Sequence, residues 1–137
     1  MTIEENKAVA RRVLEEIFNK GNLDVADELL APEYVDHDPA MPEDVRGPEG
    51  FKEYVRAYRS AFSDIHIQIE DQIAEGDNVV TRWTGTGTHD GDLAGIAPTG
   101  KRVTLPGMEI VRISGGKLVE GWEGYDTMNL MQQLGVV

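Results

Sequence analysis

Hydrophobic and polar positions divide the chain into an α-patterned first half and a β-patterned second half. Val9, Ala10, Val13, Leu14, Ile17 and Phe18 recur at helical spacing and predict one amphipathic helix over Thr2 to Asn19. Thr2 and Glu5 form a capping-box pattern at its start, and Gly21 ends it. Asn22 can cap a second, short helix with Val25, Ala26, Leu29 and Leu30 inward, closed by Pro32. The proline-punctuated stretch from Glu33 to Gly47 reads as a loop with a brief strand at Tyr34 and Val35, and it gathers Tyr34, His37 and Asp38. A third helix opens at Pro48, with Phe51, Tyr54, Val55, Tyr58 and Phe62 on its inner face.

After Asp64 the period changes from 3.6 to 2. Ile65, Ile67, Ile69 and Ile73 alternate with polar residues as a strand with one wet face. A turn at 75–78 leads to a strand from Val79 to Thr88. A glycine-rich loop (His89 to Gly100) follows, and strand pairing resumes at Arg102. Ser114-Gly115-Gly116 joins the last two strands as a hairpin, because glycine reaches positive φ without strain. On the returning strand, strict alternation would put Leu118, Glu120, Trp122, Gly124 and Asp126 on one face, expected to be the inner one. A final helix runs from about Thr127 to Leu134. The fold class is α+β, with helices packed on one face of a curved antiparallel sheet and residues 1–137 forming a single domain.

Charge narrows the partners. Thirteen basic against 25 acidic residues give a net charge of −12, which disfavours nucleic acid and anionic membranes. There is no cysteine, so disulfides and thiolate chemistry are excluded. The N-terminus lacks a signal-peptide pattern, and no apolar run approaches the roughly 20 residues that span a bilayer. A cytoplasmic location is expected.

Asp126 is the leading candidate for chemistry. A carboxylate held among aromatics loses solvation and moves toward acid–base range, although Asp126 is equally an N-cap for the last helix. His37-Asp38 is the second candidate, since a histidine beside an acid can serve as a base or a pocket donor. His89 in the glycine-rich loop and His66 on the polar side of a strand follow. No histidine–carboxylate motif suggests a metal site. Gly95-Ile-Ala-Pro-Thr-Gly-Lys101 imitates a phosphate-binding loop but continues into Arg102 and a strand instead of a Ser/Thr and a helix, so nucleotide binding is rejected. No Gly-x-Ser-x-Gly elbow is present. Tyr34, Tyr54, Tyr58, Trp83, Met108 and Trp122, with His89, are expected to line an apolar ligand cavity.

Phe18-Asn-Lys-Gly-Asn-Leu-Asp-Val-Ala-Asp27, Tyr34-Val-Asp-His-Asp-Pro39, Gly47-Pro-Glu-Gly-Phe51, Gly87-Thr-His89, Pro98-Thr-Gly-Lys101 and Glu120-Gly-Trp-Glu-Gly-Tyr-Asp126 together resemble the SnoaL-like polyketide cyclases, also called predicted ester cyclases. These belong to the superfamily named for nuclear transport factor 2, with ketosteroid isomerase and limonene epoxide hydrolase. The resemblance implies a cone-shaped α+β barrel around an apolar pocket and a homodimer packed through the sheets. It also implies a cofactor-free acid–base ring closure of a small apolar carbonyl compound, with Asp126 as general acid–base and His37 assisting. The alternative is a non-catalytic small-molecule binder using the same pocket. Epoxide hydrolysis is disfavoured, because Arg82 is followed by Trp83 and Thr84 where that pattern needs an aspartate two residues on.

Overall fold

The computed structural model describes residues 1–137. Helix α1 (Ile3–Arg12) opens on the expected capping box. The Thr2 hydroxyl accepts from the Glu5 amide at 3.0 Å, and the Thr2 amide donates to Glu5 Oε1 at 3.3 Å. The helix continues as a π-helical stretch, Val13–Asn19. The wider turn puts residues five apart over one another, which brings both Val13 and Phe18 onto the inward stripe with Leu14 and Ile17. The Asn19 side chain then pairs with the backbone of Ile67 through two hydrogen bonds of 2.9 and 2.7 Å, which fixes the helix end to an edge strand. The short helix α2 (Val25–Leu29) starts after Asp24, so Asn22 does not cap it.

Strand β1 (Leu30–His37) is longer than the brief segment read from the sequence and contains Pro32. Proline is tolerated there because the pairing is interrupted between Leu30 and Val35, where no ladder N–H is required. Strand β2 (Val45–Arg46) leads into α3 (Gly47–Ala61), and β3 (His66–Glu75), β4 (Asn78–Thr88), β5 (Arg102–Ser114) and β6 (Lys117–Tyr125) follow, then α4 (Thr127–Leu134). The six strands form one curved, unclosed sheet in the order β2-β1-β6-β5-β4-β3. All neighbours are antiparallel except β1 and β6, which run parallel. The α+β reading therefore stands, with one parallel pair added to the antiparallel sheet.

The main core lies between the helices and the sheet. Ile17, Ala26, Val55 and Val79 have no exposed surface, and Val111, Ile113 and Leu118 are 1% exposed. Two β-bulges decide what else faces this core. In β3, Ile69 pairs with Trp83 but Asp71 with Arg82, so Glu70 is an additional residue. In β6, Leu118 pairs with Ile113 but Glu120 with Arg112, so Val119 is additional. One inserted residue moves every later side chain to the opposite face. Ile73, expected inside, is consequently outside and 64% exposed.

The β6 bulge corrects the face assigned to the last strand. Beyond Val119, the inward residues are Gly121, Glu123 and Tyr125, whereas Glu120, Trp122 and Gly124 point outward. Asp126 follows Tyr125 and is exposed. Its Oδ1 accepts from the Asn129 amide at 2.9 Å, which makes it the N-cap of α4.

Candidate active site

Three adjacent strands carry acids into an otherwise apolar interior. On β1, Tyr34 and Asp36 alternate inward, and Asp38 follows in the same phase just past the strand. On β6, Gly121 lies opposite Asp36, and Glu123 comes two residues later on the same face. On β5, Glu109 occupies an inward position between Gly107 and Val111, directly opposite Glu123. Asp36 has no exposed surface and neither of its oxygens makes a well-formed hydrogen bond. Its polar neighbours are Glu123 and the Tyr34 hydroxyl. Two glycines make room here. A methyl group on Gly121 would stand 2.8 Å from the Tyr34 oxygen and 3.0 Å from Asp36 Oδ1, and one on Gly107 would lie 2.3 Å from the Trp83 ring.

Glu109 and Glu123 line a cavity of about 90 Å³. Aromatic rings from Phe18, Tyr34, Tyr54, Tyr58, Trp83 and Tyr125 make much of the wall, and no Lys, Arg or His lines it. With no cation in the cavity wall, burial dominates the titration. It pushes Asp36 up to about 7, with the Asp38 charge adding to it, and it pushes Glu109 up to about 7, with Asp36 adding. Glu123 lies between the two and is held well above the usual carboxylate range by burial and by both neighbouring charges. Burial and the two neighbouring charges favour its protonated form, the form a general acid needs.

At the other side of the acids is a hydroxyl network. The Tyr54 and Tyr125 hydroxyls donate to Asp38 Oδ2 at 2.6 and 2.9 Å, and the Tyr58 and Tyr125 oxygens are 2.7 Å apart. Asp38 Oδ1 accepts from the Ala40 amide at 2.9 Å. No group of three or more His, Asp or Glu side chains has an arrangement that could hold a metal ion.

Among the residues singled out from sequence, the structure brings Tyr34, Tyr54, Tyr58 and Trp83 together on the cavity wall. It places the others elsewhere. Asp126 caps α4 at the surface. His37 ends β1 pointing outward, where Nε2 contacts Glu120 at 2.8 Å and Nδ1 contacts Asp44 at 3.2 Å, and the hydrogen bond to Glu120 leads in raising its pKa. Trp122 lies against His37 on that outer surface, with ring centroids 5.7 Å apart and the rings tilted by 31°, and Met108 is 55% exposed on the same side of the sheet. His89 is fully buried but holds the 89–101 loop rather than the cavity. Its Nδ1 accepts from the Thr99 amide at 3.2 Å and lies 3.0 Å from the Thr99 hydroxyl.

Glu109, Glu123 and Asp36 were missed. Glu109 was open to detection, because Val103, Leu105, Gly107, Glu109, Val111 and Ile113 alternate without a break and mark it as an inward acid. Glu123 was hidden by the bulge at Val119.

The family model for SnoaL-like polyketide cyclases matches residues 8–134. The chain belongs to that family. The nogalonic acid methyl ester cyclase of Streptomyces nogalater is 32% identical over 121 residues, covering 86% of this chain and 89% of the relative. The aklanonic acid methyl ester cyclase DnrD of Streptomyces peucetius is 29% identical over 133 residues, covering 93% and 88%. Among solved structures, TsrD from Streptomyces laurentii superposes with a TM-score of 0.88 at 28% identity, covering 100% of this chain and 99% of that one. The resemblance read from the motifs and the fold it implied are therefore confirmed. The SnoaL-like frame also accounts for the architecture, an open curved sheet folded over N-terminal helices.

Proposed function

We propose that this SnoaL-like protein performs acid–base ring closure or enolisation on a small, neutral carbonyl compound held in the aromatic cavity, without a cofactor. One observation carries the reading: a carboxyl pair, Glu109 and Glu123, faces across two strands in the wall of a cavity that no cation lines. Neutral carboxyls can donate to a carbonyl oxygen as charge develops on it, whereas a carboxylate substrate would meet only acids. Esters and ketones therefore suit the site better than free acids, which agrees with the methyl ester cyclases among the relatives. At about 90 Å³ the cavity is smaller than the engineered apolar cavities near 150 Å³ that hold benzene, so a one-ring compound enters only as side chains of the wall give way.

The test is ring closure of a graded panel of polyketone methyl esters by wild type, Glu123→Gln and Asp126→Asn. Loss of about 100-fold or more in Glu123→Gln, with Asp126→Asn near wild type, supports the cavity acids as the catalytic group. The reverse pattern restores the role that the family resemblance gives to Asp126. No turnover by wild type, with ligand still bound, leaves a carrier of small apolar molecules as the function.

The outer sheet face supports a homodimer. Ile73, Val80, Ile110 and Trp122 pair in one cross-strand row over β3, β4, β5 and β6, and Ile73, Ile110 and Trp122 are 64%, 41% and 39% exposed. Such a row on a monomer's surface calls for cover. Sedimentation of wild type against Ile110→Glu tests it, and a monomeric wild type sinks the idea. No helix is long and apolar enough to cross a membrane, and a cytoplasmic protein acting on a small molecule is the reading that fits.

A further inference from the structure

The hydroxyl network has a direction that follows from counting protons. Asp38 accepts three hydrogen bonds, from Tyr54, Tyr125 and the Ala40 amide. A tyrosine hydroxyl has one proton to donate. Tyr125 gives its proton to Asp38, so the 2.7 Å contact between Tyr58 and Tyr125 is a hydrogen bond donated by Tyr58. Tyr58 then has only lone pairs left for whatever occupies the cavity.

The two ends of this chain open onto different spaces. Tyr58 and Tyr125 line the apolar cavity. Asp38 does not; it lines an open, polar hollow on the other side, together with His37, Asp44, Arg46 and Trp122. Glu123 lines both spaces and stands in the wall between them.

We propose that Tyr58, Tyr125 and Asp38 form a polarised relay that makes the tyrosine end of the cavity a proton acceptor. It rests on the cavity being the ligand site proposed above. When an acidic C–H or O–H of the ligand meets the Tyr58 oxygen, that proton passes to Tyr58. The Tyr58 proton passes to Tyr125, and the Tyr125 proton to Asp38. The electron pair of the broken bond stays on the ligand as an enolate or phenolate, and reversal of the same three transfers returns the proton. Asp38 acts through the tyrosines and is a positioning and proton-storing residue; its hollow gives it access to solvent. The cavity wall thus carries an acceptor, Tyr58, and an acid, Glu123, the two functions that ring closure next to a carbonyl requires.

The test uses the full chain and three ligands of one shape: 4-methylphenol, which donates, 4-methylbenzaldehyde, which only accepts, and toluene as an apolar control. Calorimetric titration gives the affinity ratio of phenol to aldehyde. In Tyr125→Phe, Tyr58 loses its acceptor and turns its own proton into the cavity. The ratio should then fall about 10-fold or more, the worth of one hydrogen bond gained and one lost, with toluene binding unchanged. Tyr58→Phe should abolish the advantage of phenol over toluene. A phenol-to-aldehyde ratio within twofold of wild type in Tyr125→Phe, or a phenol advantage that survives Tyr58→Phe, overturns the relay while leaving the cavity as the ligand site. Failure of all three ligands to bind wild type overturns both.

Discussion

Replacing Glu109 by Gln should stabilise the protein, and only above acidic pH. Glu109 is 6% exposed and faces Glu123, with Asp36 nearby. Its carboxyl, ordinarily at 4.5, is pushed up to about 7 by burial. Between those values the folded chain holds a proton that the unfolded chain has released. The folded state binds more protons there, so stability falls as pH rises through this window and levels off above about 7. A rise from 4.5 to about 7, at 1.36 kcal/mol per decade, sets the loss at about 3 kcal/mol. Gln keeps the shape without the titration and so removes that fall. Wild type and variant should melt together at pH 4.5. At pH 8 the variant should melt about 10 °C higher, since about 1 kcal/mol corresponds to 3–5 °C at this chain length. Thermal unfolding followed by circular dichroism at half-unit pH intervals is sufficient, with exposed Glu70→Gln as the control. A Glu109→Gln variant that is no more stable at pH 8, or whose difference from wild type does not change with pH, would refute the buried-acid argument.

Further expectations follow from the same geometry. Gly121→Ala forces a methyl group to within 2.8 Å of the Tyr34 oxygen and 3.0 Å of Asp36, and overpacking of this kind should cost about 1–3 kcal/mol in denaturant titration. Asp126→Ala removes the cap on α4 and should lower stability by about 1 kcal/mol, while Asp126→Asn, which still caps, should stay within a few tenths of wild type. Asn19→Ala breaks both hydrogen bonds to Ile67 and should speed amide exchange along the β3 edge by about 10-fold, read by mass spectrometry, without altering exchange in β5.

Much of this protein is legible in its sequence because local rules decide it. The capping box at Thr2, the aromatic face of α3, the hairpin at Gly115 and Gly116 and the N-cap at Asp126 each depend on residues a few positions apart, and each appears where the pattern puts it. The unbroken alternation of β5 likewise aims Glu109 inward. The family motifs carry the fold. Which acid faces the cavity was settled elsewhere. The bulges at Glu70 and Val119 arise from how neighbouring strands pair across the sheet, and a single inserted residue exchanges the two faces of everything that follows. Trp122 and Asp126 thereby went out, and Glu123 and Tyr125 came in. The raised carboxyls and the Tyr58–Tyr125–Asp38 chain depend on residues up to 87 positions apart meeting in the interior. No local pattern encodes that meeting, because burial and hydrogen-bond direction exist only once the sheet has closed over the helices.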